Sequence, residues 1–254
     1  MDNKVYFVGA GPGDPELITV KGAKLLSQAQ VVIYAGSLVN PALLDLCLPG
    51  TEIHNSAGMN LEEITGVMIE AYRAGKRVVR LHTGDPSLYG AIQEQIDILE
   101  QQEIPYAAVP GVSSFLAAAA ALPRELTLPG VSQTVILTRM EGRTPVPERE
   151  SIRSLAAHRS TMCIFLSVHM LDKLTAELIT GGYPANTPAA VVEKASWPDE
   201  RSFTGTLADI AAKAEGSGVN RTAMIIVGDA LGAGYRPSYL YDADFAHGFR
   251  GEQD

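Results

Sequence analysis

Short runs rich in β-branched residues recur along this chain with helix-length segments between them, and that alternation limits the fold more than any other feature. The runs are residues 4–8, 31–34, 51–54, 77–82, 106–109, 134–139, 161–166, 189–193 and 222–227. Strand-length runs alternating with helical stretches point to an α/β architecture with mostly parallel sheets. Residues 60–74 show why the intervening pieces are helices. Asn60 can cap the first turn with Glu63 three residues on, Leu61, Ile64, Met68 and Tyr72 share a face, and Gly75 ends the run. At 254 residues the chain is long for one domain and short for two large ones, so two compact halves are expected. The small-residue helix at 112–122 is followed by Pro123-Arg124-Glu125 and Leu128-Pro129-Gly130, which sets the domains at 1–123 and 124–254.

Composition narrows the function classes. With 46% hydrophobic and 19% charged residues the chain has the make-up of a packed globular protein. Its longest apolar stretch, Phe115 to Leu122, has eight residues where a membrane helix needs about 20, so no membrane partner is expected. A net charge of −9 repels a phosphate backbone, so no nucleic-acid partner is expected either. Cys47 and Cys163 stand far apart among apolar neighbours and read as buried reduced thiols. With no signal-peptide pattern at the start, the expected location is cytoplasmic. His54, His82, His158, His169 and His247 have no metal-ligand spacing, so no protein-bound metal is expected.

Three strands of the first half run straight into Gly/Pro turns: Gly9-Ala10-Gly11-Pro12-Gly13-Asp14-Pro15, Thr83-Gly84-Asp85-Pro86 and Pro110-Gly111-Val112-Ser113-Ser114. If these strands are parallel, all three turns emerge on one edge of the sheet. That edge is where open α/β sheets bind ligands. The first turn departs from a dinucleotide fingerprint because Asp14 occupies the third glycine position, and Asp14-Pro15 looks like a cap and first residue of a helix. A nucleotide-dependent oxidoreductase is the alternative from another class.

Arginine is unevenly placed. Arg124, Arg139, Arg143, Arg149, Arg153 and Arg159 fall within 36 residues against four acids, on an otherwise acidic chain. Guanidinium pairs with carboxylates, so this segment suggests capture of an anionic small molecule, with Arg139 and Arg143 as the chosen residues. Residues 140–150, with Gly142, Pro145 and Pro147 among charges, read as a long polar loop, and the tail after Tyr235 shows no clear period.

Taken together, the run from Val8 to Thr19, the run Thr83-Gly84-Asp85-Pro86-Ser87-Leu88-Tyr89-Gly90 and the run from Val109 to Ser114 resemble the tetrapyrrole methylase family. The segments 133–145 and Lys194-Ala195-Ser196-Trp197-Pro198-Asp199-Glu200 resemble its precorrin-4 branch, which methylates carbon 11 of the corrin precursor, with or without cobalt. The precorrin-2 and uroporphyrinogen steps are the alternatives within the family. The resemblance implies a homodimeric, S-adenosyl-L-methionine-dependent C-methyltransferase of two α/β domains, acting on an anionic tetrapyrrole and releasing S-adenosyl-L-homocysteine. It places Pro12, Thr83, Gly84, Asp85, Ser113, Ser114, Leu166, Ala195 and Gly228 with the cofactor. Gly11, Arg139, Arg143 and Lys194 fall to the substrate, and Asp14 and Glu141 to proton handling. Leu166-Ser167 stands where several relatives have Met-Gly.

Overall fold

The computed structural model describes residues 4–36, 38–232, 234, 235, 237–242 and 245. The chain forms two compact units: the part up to Ala118 joined by Lys194–Glu200, and Ala119–Glu193 joined by the chain from Arg201 onward. These units differ from a single division after residue 123 at residues 119–123 and, more informatively, in the segment Lys194–Glu200. His247 and most of the tail after Tyr235 lie outside the described residues.

The first unit is built on β1 (Val5–Gly9), β2 (Val31–Tyr34), β3 (Glu52–Asn55), β4 (Val78–His82) and β5 (Tyr106–Val109). They form one sheet in the order β3-β2-β4-β1-β5 with every pairing parallel. Its helices are α1 (Val20–Leu26), α2 (Leu61–Arg73) and α3 (Gln93–Gln101), and α4 (Ser114–Ala121) follows β5. Val5, Phe7, Val31, Ile33 and Val78 pack against Ile64, Met68 and Leu99 of α2 and α3. Val8, Val32, Val79 and Leu81 face the other way, against Leu25 and Leu26 of α1 and Leu43 of a short 3₁₀ turn. Burial on both faces is why these strands read as near-continuous apolar runs. The cap at the start of α2 is reciprocal: Asn60 Oδ1 accepts the Glu63 N–H at 2.9 Å and Glu63 Oε2 accepts the Asn60 N–H at 2.8 Å.

The second unit holds β6 (Val135–Arg139), β7 (Thr161–Phe165), β8 (Pro188–Glu193), β9 (Arg201–Thr206) and β10 (Ala223–Val227) in the order β6-β7-β10-β8-β9. Here only β6 and β7 pair parallel, and the three other pairings are antiparallel. Helices α5 (Ile152–Ala156), α6 (Leu171–Gly181) and α7 (Ile210–Glu215) supply Ile152, Leu174, Leu178 and Ile210 to a core with Met162, Ile164, Val191 and Ile225. Strand β9, Arg-Ser-Phe-Thr-Gly-Thr, is an edge strand with one aromatic residue among polar ones, which hides it from a search for apolar runs. Because β10 runs against β7 and β8, the ends of β6, β7 and β8 share one edge of this sheet and the end of β10 lies at the other. Among the described residues no helix is long and apolar enough to cross a membrane, and no group of three or more His, Cys, Asp or Glu is placed to hold a metal ion.

Candidate functional site

The three turns of the first unit leave β4, β1 and β5, which are adjacent strands with β1 in the middle. They therefore emerge side by side, and their backbones close on one another. Gly11 and Gly84 form an isolated antiparallel bridge in which the Gly84 N–H donates to the Gly11 carbonyl at 2.8 Å. A Cβ on Gly9 would stand 2.6 Å from Gly111 Cα and 2.7 Å from the Gly84 carbonyl oxygen, and one on Gly111 would overlap that same oxygen. Only glycine permits this approach.

Asp85 fastens the second turn to the third. Its Oδ2 accepts the Gly111 N–H at 2.9 Å, and its Oδ1 accepts the Ser87 N–H at 2.8 Å together with the Ser87 hydroxyl. Burial works to raise the Asp85 carboxyl, but the Ser87 hydroxyl and then the Gly111 and Ser87 N–H groups outweigh it and hold it below its ordinary value. Thr83 is half-buried, Ser113 is buried and Ser114 opens α4, so the four residues proposed around Asp85 share its edge.

In the first turn, Gly11, Pro12 and Gly13 are buried, and Asp14 caps a short 3₁₀ turn, Pro15–Leu17, by accepting the Glu16 N–H at 2.8 Å. The Asp14 N–H donates to Ser196 Oγ at 3.0 Å, and the Gly11 N–H points to the Gly84 carbonyl at 3.3 Å. These donors are spent within the protein, whereas a pyrophosphate site needs them free. The oxidoreductase alternative loses its structural basis here.

The second-half residues fare unequally. Arg139, at the end of β6, donates to the carbonyls of Met140, Thr144 and Pro145 at 3.4, 3.1 and 2.8 Å, so its guanidinium binds its own loop. Arg143 and Glu141 ride on that loop, both exposed. Leu166 is exposed and adopts a left-handed φ of 54° directly after β7. Ser167 is fully buried, accepting the Met140 N–H at 2.9 Å and donating to the Phe165 carbonyl at 2.7 Å, and so joins the turns after β6 and β7. Gly228 is not brought together with Leu166: it follows β10 and donates its N–H to Pro188 at the start of β8, at the opposite edge of the sheet. The antiparallel direction of β10 puts it there. Lys194 is ion-paired to Asp199, and Ala195 is buried beside it in the sequence.

Two buried groups were not picked out as a pair by sequence reasoning. Arg80 and His82, two apart on β4, are each only 5% exposed, beside the apolar layer around Phe7. Arg80 donates to Gln95 Oε1 at 3.2 Å and to the Ile33 carbonyl at 3.3 Å, and among the described residues it has no carboxylate partner. Burial lowers its pKa to about 10. Burial and then the nearby Arg80 charge lower that of His82 to about 3, and His82 Nε2 has no hydrogen-bond partner in the structure. Their alternation on a strand was the signal available. Both cysteines are free: Cys163 is buried, its thiol pushed up to about 12, and Cys47 is half-buried.

With this geometry in place, the comparisons with known proteins become informative. Residues 4–211 match the family of Tetrapyrrole (Corrin/Porphyrin) Methylases. The chain is 60% identical over 253 residues to a cobalt-precorrin-4 C(11)-methyltransferase of Methanocaldococcus jannaschii, covering 98% of each chain. The X-ray structure of the cobalamin biosynthetic enzyme cobalt precorrin-4 methyltransferase, CbiF, superposes with a TM-score of 0.89 at 51% identity, covering 91% of this chain and 97% of that one. Uroporphyrin-III C-methyl transferase from Thermus thermophilus, complexed with S-adenosyl homocysteine, gives a TM-score of 0.75 at 33% identity, covering 90% and 93%.

Proposed function

The chain belongs to the tetrapyrrole (corrin/porphyrin) methylase family, and from that premise we propose that it methylates carbon 11 of cobalt-precorrin-4 in cobalamin biosynthesis, using S-adenosyl-L-methionine and releasing S-adenosyl-L-homocysteine. The observation that carries this reading is the gathering of the three family turns onto one sheet edge, joined there by Asp85. The names of the relatives at 60% and 51% identity support the carbon-11 step, and the cobalt in two of those names favours the cobalt-bearing substrate.

The residues present fit the cofactor. Asp85 keeps an acceptor position on Oδ2 after its bond to Gly111, and its depressed pKa keeps it anionic, which suits a cationic sulfonium compound with ribose hydroxyls. When bound, the cofactor supplies a methyl group already activated by positively charged sulfur. The acceptor is an electron-rich carbon of a reduced ring, so the protein needs no nucleophile. Its residues must orient two partners and exclude water, a contribution of about 7–11 kcal/mol in well-aligned systems.

On this reading Thr83, Gly84, Asp85, Ser113 and Ser114 hold the cofactor, with Pro12, Leu166 and Ala195 completing its surroundings. Gly11, Arg139, Arg143 and Lys194 face the macrocycle, with Arg139 also keeping the Arg143 loop in shape. Proton handling falls to Asp14, through the oxygen its cap leaves over, or to Glu141. Turnover against pH in Asp14→Asn and Glu141→Gln separates the two. We further propose domains at 1–123 and 124–254 and a cytoplasmic homodimer with no resident metal; the two unpaired thiols fit a reducing compartment.

The decisive experiment incubates purified protein with methyl-labelled cofactor and either cobalt-loaded or metal-free precorrin-4, then locates the new methyl by NMR. Label at carbon 11 of the cobalt form is the expected result. Label at another carbon, or none, overturns the assignment.

A further inference from the structure

The segment Lys194–Glu200 connects β8 to β9, yet it packs as part of the first unit, against the first turn. Trp197, the only tryptophan in the chain, donates its indole N–H to the Pro12 carbonyl at 2.9 Å. Its ring lies where a Cβ on Gly13 would have to be, so glycine at 13 is the space the indole occupies. Ser196 Oγ accepts the Asp14 N–H at 3.0 Å, and Asn40 donates to the Gly13 carbonyl at 2.8 Å. Three consecutive residues of the turn are thus held by side chains from elsewhere, two of them more than 180 positions away.

The segment that does the holding is itself braced. The Ser196 N–H donates to Glu200 Oε2 at 2.6 Å, the Trp197 N–H to the Lys194 carbonyl at 2.9 Å, and Lys194 pairs with Asp199. Lys194 and Ser196 sit at φ of 49° and 68°, a region L-residues rarely adopt, and such strain persists only where the surroundings over-determine it. A simple hairpin connection needs none of this.

We infer that Trp197 and Ser196 are positioning residues: they hold the Gly11–Asp14 turn in the shape that presents Gly11 and Asp14 to the macrocycle. The inference rests on the methyl-transfer reading of that turn. Most of the proposed cofactor contacts lie on the turns after β4 and β5; of the rest, only Pro12 belongs to the first turn, and there Trp197 takes the backbone carbonyl. Loosening the first turn therefore lowers turnover far more than it weakens cofactor binding.

The test compares wild type with Trp197→Phe, which keeps a ring but loses the donor, and Ser196→Ala, which removes one acceptor and no bulk. Amide hydrogen exchange across residues 11–17 is expected to quicken about ten-fold in both, with β1 unchanged. At saturating cofactor, kcat on the macrocycle is expected to fall about five-fold or more. The Kd for S-adenosyl-L-homocysteine, by calorimetry, stays within about two-fold of wild type. A purely structural role lowers Tm and leaves kcat of the folded protein intact. Unchanged exchange, or quickened exchange with wild-type kcat, overturns the inference while the methyltransferase reading stands. A wild-type protein that methylates neither form of the precursor overturns both.

Discussion

Asp85 and His82 stand three residues apart, and their surroundings move them in ways that matter at different pH. The Asp85 carboxyl is held below its ordinary value, so the bonds from Ser87 and Gly111 persist at neutral pH and are lost as pH falls through that lowered value. Asp85→Ala removes the tie between two turns and the proposed cofactor acceptor together, and calorimetry is expected to show S-adenosyl-L-homocysteine binding weakened about ten-fold or more. His82 works at milder acidity. Its folded pKa, lowered to about 3 by burial first and the Arg80 charge second, lies below the unfolded value near 6.5, so the unfolded chain takes up the proton first. Stability from this group is complete above the unfolded value and declines below it by about 1.4 kcal/mol per pH unit until the folded pKa is reached. Urea unfolding at pH 7, 6 and 5 is expected to show that decline in wild type and a shallower one in His82→Leu; equal slopes would refute it. The cap role of Asp14 was readable in the sequence because caps are local, with Pro15 next to it. The bond from Gly111 to Asp85 was not, because it spans 26 residues and depends on which strands become neighbours.

Elements were legible where their signals are local and hidden where partners decide. Helix α2 runs over Leu61–Arg73 with its capping box in place, as the spacing of Asn60 and Glu63 foretold. Asn60→Ala is expected to cost about 1 kcal/mol in chemical denaturation, the usual value of such a cap. The second sheet was harder. Most of its strands could be found by composition, but their directions could not, so nothing in the residues foretold that β10 carries Gly228 to the edge away from Leu166. Glycines divide sharply by the elements that meet at them. Gly111→Ala is expected to destabilise by about 1–3 kcal/mol, since the new methyl overlaps the Gly84 carbonyl, whereas Gly58→Ala, with nothing within 4 Å, stays near wild type. Equal melting temperatures for these two variants would contradict the close approach of the three turns.

On the scale of the whole molecule, the proposed reading asks a chain of net charge −9 to receive an anionic macrocycle. The cluster of arginines seen in the sequence answers that problem only in part. Arg153 is paired with Glu177 at 3.0 Å, Arg149 lies 3.6 Å from Glu150, and Arg139 is spent on loop carbonyls. Arg149 stays exposed beside Glu150, and Arg143 is the exposed arginine of the loop with no ion pair among the described residues. Arg143→Ala is expected to raise KM for the macrocycle about ten-fold, and raising salt is expected to weaken wild type more than the variant, as screened attraction requires. Equal salt dependence would remove Arg143 from the site. The turns and the branch segment were visible in the sequence as motifs, yet the reason for the branch segment was invisible, because its role lies in what it touches. That contact also carries an experimental gift. With the sole indole of the chain seated on Pro12 and Gly13, light at the red edge of the absorption band, where the tyrosines do not absorb, excites a single fluorophore at the first turn, and any guest that disturbs this turn will announce itself in colour and intensity.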